Sequence, residues 1–365
     1  MTTEISREKF IEGIGKAEKI SGKHVSLPIL SSVLMQVKKN EVVFVSTNLD
    51  VGIEVQIPAK GEDEYSFVIK PEPVKSFLLG AKGQNVSLEK RENVLEMRVG
   101  DNVATVKIES PEEFPTIPRV SEGKEWFIAS KDLTKGIKAV LWSASTSTIK
   151  PEIGSVYIYQ NEEDVVFVAT DSFRLAEKKI KAKKAKDFEP LLIPTKNASE
   201  IIKILDGVSS EVKVISSKNQ ISFEAEGTYL TSRLVDGNFP DYKQIIPKEF
   251  NTEARILKED LSSVLRTAAV FSDSFHQATL TFIPKDKSLE VKTRSNEVGE
   301  SVCKIKGSLE GNVLSMNFNH RYLADPLQSI EGEGVLISAV SESKPLIIKN
   351  SGGSDFLYLV MPMNR

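Results

Sequence analysis

Three short stretches of this chain share one pattern, and that pattern decides the fold. They are VFVSTN (Val43–Asn48), VFVATD (Val166–Asp171) and LEVKTR (Leu289–Arg294). Their threonines, at positions 47, 170 and 293, are separated by two equal intervals of 123 residues. A glutamate follows seven residues after each threonine, at positions 54, 177 and 300. Equal spacing of one pattern along a chain predicts an internal repeat of three copies.

An apolar helical pattern recurs in phase with these stretches. Each copy has four apolar residues at relative offsets of 0, 5, 9 and 12, close to one face of an amphipathic helix. The sets are Ile5, Phe10, Ile14 and Ala17; Ile128, Leu133, Ile137 and Val140; and Ile256, Leu261, Leu265 and Ala268. Ser6 and Ser130 are expected to cap the first two helices. The pattern predicts one helix near the start of each copy.

Each copy also contains signals for a second helix and a hairpin. The second helices are predicted at Glu72–Ala81, Asn197–Leu205 and Arg321–Ile330. The hairpins are predicted to turn at Gly100-Asp101, Glu226-Gly227 and Gly352-Gly353. Proline-rich segments, Phe114–Pro118 and Phe239–Pro247, suit extended linkers because proline disfavours helix at the preceding residue. We therefore predict three α+β domains, at 1–120, 121–247 and 248–365, each with helices on one face of a mainly antiparallel sheet.

The composition indicates a globular protein. Hydrophobic residues make up 40% of the 365 positions and charged residues 27%, and no apolar run approaches 18 residues. The stretch MTTEISREKF lacks the apolar core of a secretory signal. A single cysteine excludes an internal disulfide, which suits a reducing compartment. We therefore expect a cytoplasmic protein without a membrane segment.

No constellation of residues predicts catalysis or metal binding. None of the histidines, at positions 24, 276 and 320, has a metal-ligand neighbour at close spacing. The nucleophile-elbow, zinc-protease and phosphate-loop motifs are absent from the sequence. Cys303 lies in an apparent strand, Ser301–Ile305, and is expected to be a buried, inert thiol. We expect no enzyme activity, no cofactor and no metal.

Basic residues recur on the predicted helices. Lys131, Lys135 and Lys138 share the helix face opposite the apolar one. For one helix alone, this is a solvated face. For six helices together, it would be a mildly basic surface that attracts phosphates without reading bases. The net charge of −3 leaves two alternatives open: nucleic acid is not a partner, or the positive charge is confined to one surface.

Longer motifs, in chain order, resemble those of the bacterial sliding clamp family, the β subunit of DNA polymerase III. They are LPILSSVL (Leu27–Leu34), STNLD (Ser46–Asp50), ATDSFRLA (Ala169–Ala176), GNFPDY (Gly237–Tyr242) with Ile246-Pro247, and LVMPM (Leu359–Met363). The resemblance covers the whole chain. It implies three DNA-clamp modules per chain and a head-to-tail homodimer, a six-domain ring with sheets outside and helices around duplex DNA. A closed ring holds DNA topologically, so its contacts can be weak and permit sliding.

The resemblance also implies a partner-peptide cleft between the second and third domains. Its residues would be Ile153, Thr170, Ser172, Phe173, Arg174, Leu175, Pro240, Gln244, Ile245, Ser343, Pro345, Leu359, Val360, Met361, Pro362 and Met363. An apolar, methionine-rich wall suits several peptides. The implied partners are the polymerase III catalytic subunit, the clamp loader, other polymerases and repair proteins. Phe173 stands where the family usually has histidine, and Gln244 where arginine is common, so the cleft should be more apolar and less basic.

Further positions carry over to DNA and to the second subunit. Lys23, His24, Lys150 and Lys196 match family contacts with the duplex, and Lys131, Lys135, Lys138 and Arg266 are added from their spacing. Val270 and Phe271 match apolar residues that meet the first domain of the other subunit. The leading hypothesis is a non-catalytic processivity factor that encircles DNA. The alternative is a tandem-repeat adaptor that binds proteins without encircling DNA.

Overall fold

The computed structural model describes residues 3–22, 27–147 and 149–363. Backbone contacts divide the chain into two compact units. Unit 1 comprises Met1–Thr134, Lys184–Glu189 and Lys196–Leu234, and unit 2 comprises Lys135–Lys183, Pro190–Thr195 and Val235–Arg365. Each unit therefore contains one complete outer copy of the repeat and part of the middle copy. The strand ladders are antiparallel, as predicted.

The first copy has two helices and eight strands. In chain order they are β1 (Thr3–Ser6), α1 (Arg7–Ile20), β2 (Val33–Lys38), β3 (Glu41–Thr47), β4 (Val51–Pro58), β5 (Tyr65–Ile69), α2 (Pro71–Gly80), β6 (Asn85–Arg91), β7 (Val94–Val99) and β8 (Asn102–Glu109), with a 3-10 turn at Pro28–Ser31. The predicted face of α1 is buried. Ile5 is buried too, but it lies in β1. Ser6 precedes α1 without a side-chain capping bond, so the predicted cap is wrong.

The middle copy repeats this order. Its elements are β9 (Lys124–Ala129), α3 (Ser130–Val140), β10 (Ser155–Asn161), β11 (Asp164–Thr170), β12 (Arg174–Lys181), β13 (Leu191–Pro194), α4 (Thr195–Leu205), β14 (Glu211–Ser216), β15 (Gln220–Ala225) and β16 (Thr228–Arg233), with a 3-10 turn at Leu141–Ser143. Leu133, Ile137 and Val140 are buried as predicted. α3 begins at Ser130 itself rather than after it, and the Ser130 hydroxyl donates to the Leu205 carbonyl at 2.8 Å.

The third copy departs most from the prediction. Its elements are β17 (Thr252–Leu257), α5 (Lys258–Val270), β18 (Gln277–Ile283), β19 (Ser288–Ser295), β20 (Gly299–Lys306), β21 (Ser308–Gly311), β22 (Leu314–Asn319), α6 (His320–Ala324), β23 (Gly334–Ala339), β24 (Leu346–Asn350) and β25 (Phe356–Val360), with 3-10 turns at Pro284–Asp286 and Asp325–Gln328. The linker before it contains a 3-10 turn at Tyr242–Ile245. The helix predicted at Arg321–Ile330 ends at Ala324. Pro326 follows, and proline has no amide hydrogen to continue an α-helix.

Two seams between copies explain why the middle copy is divided. In unit 1, β4 of the first copy pairs with β16 of the middle copy within a twelve-stranded sheet. In unit 2, β12 of the middle copy pairs with β25 of the third copy within a nine-stranded sheet. A separate four-stranded sheet has the order β20-β19-β18-β22. Each half of the middle copy therefore belongs to the sheet of a different neighbour.

The strand register corrects one part of the repeat. Glu54 lies opposite Val45, and Glu177 lies opposite Val168, so these glutamates are equivalent. Glu300 instead lies opposite Arg294, because β19 continues to Ser295, two residues past Thr293, before the chain turns. The equivalent position in the third copy is Cys303, opposite Val291. The equal sequence spacing of the third glutamate therefore does not reflect an equal position in the sheet.

Candidate partner-binding cleft

The ATDSFRLA motif forms a tight turn between β11 and β12. The Thr170 hydroxyl donates to the Arg174 carbonyl at 2.6 Å and accepts from the Ser172 amide at 3.1 Å. Asp171 Oδ1 accepts from the amides of Phe173 and Arg174, each at 2.9 Å. Ser172 has a φ of 76°, a left-handed conformation that a short polar residue tolerates better than a branched one. This turn leaves the Phe173 side chain 64% exposed.

Arg174 directs its guanidinium into the protein. Nε donates to Asp171 Oδ2 at 2.9 Å, one terminal nitrogen donates to Asp325, and the other donates to the Trp142 carbonyl at 2.9 Å. The Tyr322 ring lies 4.2 Å from the guanidinium carbon. The side chain is only 11% exposed. Arg174 therefore joins the middle copy to the third copy within unit 2, and its bonds are not directed towards a partner.

The LVMPM segment meets this turn directly. In β25, Leu359 pairs with Leu175 and Val360 with Arg174. Beyond the strand, the Met361 amide donates to the Phe173 carbonyl at 2.8 Å, and the Met363 amide donates to the Asn317 carbonyl at 2.8 Å. The two motifs, distant in sequence, are therefore neighbours, and Met361 is 37% exposed beside the turn.

Several predicted cleft residues are core residues instead. Leu175, Leu359 and Val360 are almost fully buried. Leu175 and Leu359 pack in an apolar cluster with Val166, Val168, Tyr242 and Ile347. This placement corrects the expectation that they form an open wall. The partner-accessible part of the motif and the last segment is smaller: Ser172, Phe173 and Met361, with Pro362 and Met363 half-buried.

The linker side of the predicted cleft is exposed around one buried residue. Pro240, Gln244 and Ile245 are exposed, whereas Tyr242 between them is buried. Gln244 Nε2 donates to Asp241 Oδ2 at 2.7 Å, so the amide is held within the linker.

The remaining predicted cleft residues lie close to the same strands. The Ser145 amide is 3.0 Å from the carbonyl oxygens of both Ile153 and Thr170, which brings buried Ile153 to the end of β11. Pro345 is buried directly before Leu346, which pairs with Val360. Ser343 is exposed two residues earlier. The sixteen predicted positions therefore all belong to unit 2.

The predicted DNA-binding residues are exposed where the structure describes them. Lys23 and His24 lie outside the described residues. The exposed ones are Lys131, Lys135, Lys138, Lys150, Lys196 and Arg266. Lys131 and Lys196 belong to unit 1 and the other four to unit 2, so a shared basic surface stays a prediction.

One carboxylate reduces the positive charge on α3. Glu331 Oε1 lies 2.8 Å from Lys135 Nζ and 2.7 Å from Lys178 Nζ. These two lysines lower the pKa of Glu331 to about 2. The Lys178 side chain is almost fully buried and also pairs with Asp355. Lys135 therefore has a structural partner, which weakens its candidacy as a phosphate contact.

Comparisons with known proteins identify the family. Models of the DNA polymerase III beta subunit match in chain order: the N-terminal domain at 1–118, the central domain at 127–241 and the C-terminal domain at 243–364. The chain belongs to the DNA polymerase III beta subunit family. The three matches together span almost every residue.

Curated relatives and solved structures agree with this family. The beta sliding clamps of Streptococcus pneumoniae (strain TIGR4) and Staphylococcus aureus (strain Mu50) are 26% and 24% identical over 370 and 369 residues, and each alignment covers 98% of both chains. The sliding clamp structure from Bacillus subtilis has a TM-score of 0.93 at 24% identity, covering 100% of this chain and 99% of that one. The Thermotoga maritima beta subunit has a TM-score of 0.92 at 22% identity with complete coverage of both chains. At these identities, the structures show a shared clamp fold.

Sequence reasoning missed the residues that hold the predicted cleft residues in place. Asp325 and Tyr322 hold Arg174, and Asn317 holds the last segment through its carbonyl. Arg174 and Asp325 are 151 positions apart, and no local pattern marks such a pair. Asp171 is part of the ATDSFRLA motif, but only the backbone geometry shows that its carboxylate accepts from two amides.

Other chemistry is sparse in this member of the family. Within residues 3–22, 27–147 and 149–363, no group of three His, Cys, Asp or Glu side chains could hold a metal ion. Over the same residues, no helix is long and apolar enough to cross a membrane. Cys303 is half-buried on β20, an edge strand, so the prediction of a buried thiol is wrong. An edge strand has a neighbour on one side only, which leaves its side chains less covered.

Proposed function

We propose that this chain is the subunit of a DNA sliding clamp. Copies of the chain join head to tail into a closed ring around duplex DNA, and the ring tethers a polymerase to its template. The chain itself is non-catalytic, since its task is retention and recruitment. Its three copies of the repeat, at 1–120, 121–247 and 248–365, act as three successive domains. Its place of work is the bacterial cytoplasm, where the chromosome is replicated.

The observation that carries this proposal is the pattern of seams. In the first two copies, the strand after the threonine turn pairs with the last strand of the following copy: β4 with β16, and β12 with β25. The strand after that turn in the third copy is β20, which has only β19 as a partner within the described chain. The last strand of the first copy, β8, meets β5 only at Ile108 and Glu109. Two strands therefore lack the pairing that their counterparts make between copies: β20 of the third copy and β8 of the first copy.

The two free edges are suited to each other. The exposed and buried positions follow the same eight-residue order in β8 and β20. Each edge presents a half-exposed valine, Val103 at 50% and Val302 at 49%. Open edges of this kind are normally covered, and antiparallel pairing between chains covers them. A head-to-tail contact that repeats the internal seams closes into a ring, and we propose a ring of two chains.

Apolar residues beside α5 support the same interface. Val270 ends α5 with 63% exposure, and Phe271 follows half-buried. Exposed apolar side chains at the centre of a contact surface are typical of subunit interfaces. We propose that both residues are covered by the first copy of the partner subunit.

Weak contacts with DNA fit this function. The exposed lysines and Arg266 carry positive charge, which attracts phosphates without reading bases. Their attraction for phosphates is salt-sensitive and modest, and a net charge of −3 adds no general affinity. Topological closure retains the ring without strong contacts, so the ring can slide.

The cleft residues in unit 2 would recruit partners. Exposed Phe173 and Met361 lie side by side, and the linker residues Pro240, Gln244 and Ile245 supply a second exposed group. Such a surface suits short peptides with apolar side chains. We propose that it binds peptide motifs of the polymerase III catalytic subunit, the clamp loader, other polymerases and repair proteins.

Retention on circular DNA tests the ring. The protein is loaded by a clamp loader onto nicked circular plasmid, separated from free protein by gel filtration, and the DNA is then cut once. We expect release after linearisation, and retention on linear DNA whose ends carry bulky protein blocks. Equal retention on circular and unblocked linear DNA would contradict topological binding. Absence of DNA binding together with retained peptide binding would favour the tandem-repeat adaptor.

A further inference from the structure

One buried residue interrupts the exposed linker at the cleft. Tyr242 lies between exposed Pro240 and Gln244, yet only 6% of its surface is accessible. Its ring packs against Leu175 and Leu359 in the apolar cluster of unit 2. Phe239 and Ile246, both partly buried, pack against the same cluster. Tyr242 is thus the buried anchor of the linker, while Pro240, Gln244 and Ile245 remain available to a partner.

The anchor ends in a buried hydrogen bond. The Tyr242 hydroxyl donates to Glu177 Oε2, and the Tyr159 hydroxyl lies 2.8 Å from the Tyr242 hydroxyl. Burial and the adjacent Glu177 raise the pKa of Tyr242 above its ordinary value, so the phenol stays protonated and remains a donor. Glu177 is itself buried on β12, and Lys179 Nζ lies 3.4 Å from its other oxygen. A buried carboxylate requires such partners, because an unpaired one is costly.

The position of Glu177 connects this bond to the cleft. Glu177 follows Leu175 by two residues, so both point to the same face of β12. The strand begins at Arg174, directly after the turn that exposes Phe173. The Tyr242–Glu177 hydrogen bond therefore connects the linker to β12, the strand that follows the turn exposing Phe173.

We propose that Glu177 and Tyr242 are positioning residues of the partner cleft. Their bond fixes the linker residues Pro240, Gln244 and Ile245 relative to Phe173 before a peptide arrives, so the peptide does not have to order them. This inference rests on the proposed function, and it adds two residues that touch no partner themselves.

Unit 1 contains a matched contact that serves as a control. Glu54, 123 positions before Glu177, accepts from Arg119, which is 123 positions before Tyr242. The Arg119 guanidinium also lies over the Tyr229 ring at 4.2 Å. The same kind of linker contact thus exists far from the cleft residues in sequence and in a different unit.

The test compares peptide affinity with linker mobility in the full-length protein. The variants are Tyr242→Phe, which keeps the ring, Glu177→Leu, the double variant of these two, Glu177→Gln and the control Glu54→Leu. A fluorescein-labelled peptide carrying the clamp-binding segment of the polymerase catalytic subunit is titrated by fluorescence polarisation. Trypsin cleavage after exposed Lys243, followed by mass spectrometry, reports linker opening. Thermal melting reports whether each variant folds.

We expect Tyr242→Phe and Glu177→Leu to weaken peptide binding about threefold to tenfold, because only a fraction of molecules then has an ordered linker. Cleavage after Lys243 should accelerate, and saturating peptide should slow it again. Glu177→Gln retains an acceptor oxygen and should keep most of the affinity. The double variant should lose no more than either single variant, since both act through one bond. Glu54→Leu, which removes the matched contact in unit 1, should bind peptide like the wild type.

Other results would overturn the inference. Unchanged affinity in Tyr242→Phe or Glu177→Leu, despite faster cleavage, would show that the bond does not position the cleft. An equal loss in Glu54→Leu would show a general effect of weakened linkers. If Tyr242→Phe does not fold, the difference in peptide affinity between Glu177→Leu and Glu177→Gln decides the question. Absence of peptide binding by the wild type would refute the proposed cleft itself, which distinguishes the two failures.

Discussion

The Phe44 ring occupies the space where a side chain on Gly13 would lie: a Cβ on this α1 residue would approach the ring to 2.7 Å. The middle copy repeats the contact between Gly136 of α3 and the Phe167 ring, each 123 positions later. Close helix–sheet packing therefore requires glycine in both copies. The third copy has Glu290 at the position of Phe167 in the aligned motif and does not use this pair.

Alanine substitution in α1 should have opposite effects at two nearby glycines. Gly13→Ala should destabilise unit 1 by about 1–3 kcal/mol, because the added methyl group would overpack the core around Phe44. Gly15→Ala should stabilise it by up to about 1 kcal/mol, since no atom lies within 4 Å of the added Cβ and alanine favours helix. Urea unfolding monitored by circular dichroism measures both. The same sign for both variants would contradict the packing argument.

Removal of the Glu331 carboxylate should change the pH dependence of stability. Its folded pKa of about 2 lies below the ordinary value of 4.5, so its contribution is complete above the ordinary value and is lost as pH falls towards 2. Glu331→Gln should therefore be less stable than the wild type at pH 7, with the difference narrowing at lower pH. Urea midpoints from pH 7 to pH 3 measure this. Glu342→Gln, which changes an exposed carboxylate, is the control. If the difference in urea midpoint between Glu331→Gln and the wild type stays constant from pH 7 to pH 3, the ion pairs do not make the expected contribution.

Deletion of Met361 to Arg365 should abolish peptide binding and leave the dimer intact. The deletion removes the exposed methionine beside Phe173 and both backbone bonds of the segment. We expect at least about a tenfold loss of peptide affinity, the scale of a central contact residue. Fluorescence polarisation and sedimentation velocity measure the two properties. Deleting only Asn364 and Arg365, which lie outside the described residues, should have a smaller effect; equal affinity in all three proteins would refute the assignment.

A charge at the proposed subunit contact should produce monomers. Val270→Asp places a carboxylate on an exposed apolar position, so the fold is preserved while the interface must desolvate a charge. Phe271→Asp and Val302→Asp should act in the same way. Sedimentation equilibrium at micromolar concentration gives the mass. Val313→Asp, equally exposed between β21 and β22, is the matched control, and a dimer that survives all three interface substitutions would mean that the contact lies elsewhere.

The sequence by itself determined the repeat, the helix faces and the two motifs of the cleft. These features depend on local order: apolar residues return at the helical period, and turns require particular residues at fixed offsets. The nine helix-face residues predicted within α1, α3 and α5 are all buried. The predicted turns at Gly100-Asp101 and Glu226-Gly227 each connect two strands as expected.

Only the tertiary structure decided which repeated residues are equivalent and which cleft residues are accessible. The extension of β19 to Ser295 moves Glu300 out of phase, although its sequence spacing is unchanged. Pairing of β12 with β25 buries Leu175 and Leu359, and Asp325 draws Arg174 into the protein. These contacts join residues more than a hundred positions apart, so they form only when the tertiary fold brings the two strands or segments together. The local periodicity of the sequence does not contain this information. The Gly13–Phe44 contact likewise depends on how helix α1 packs against strand β3.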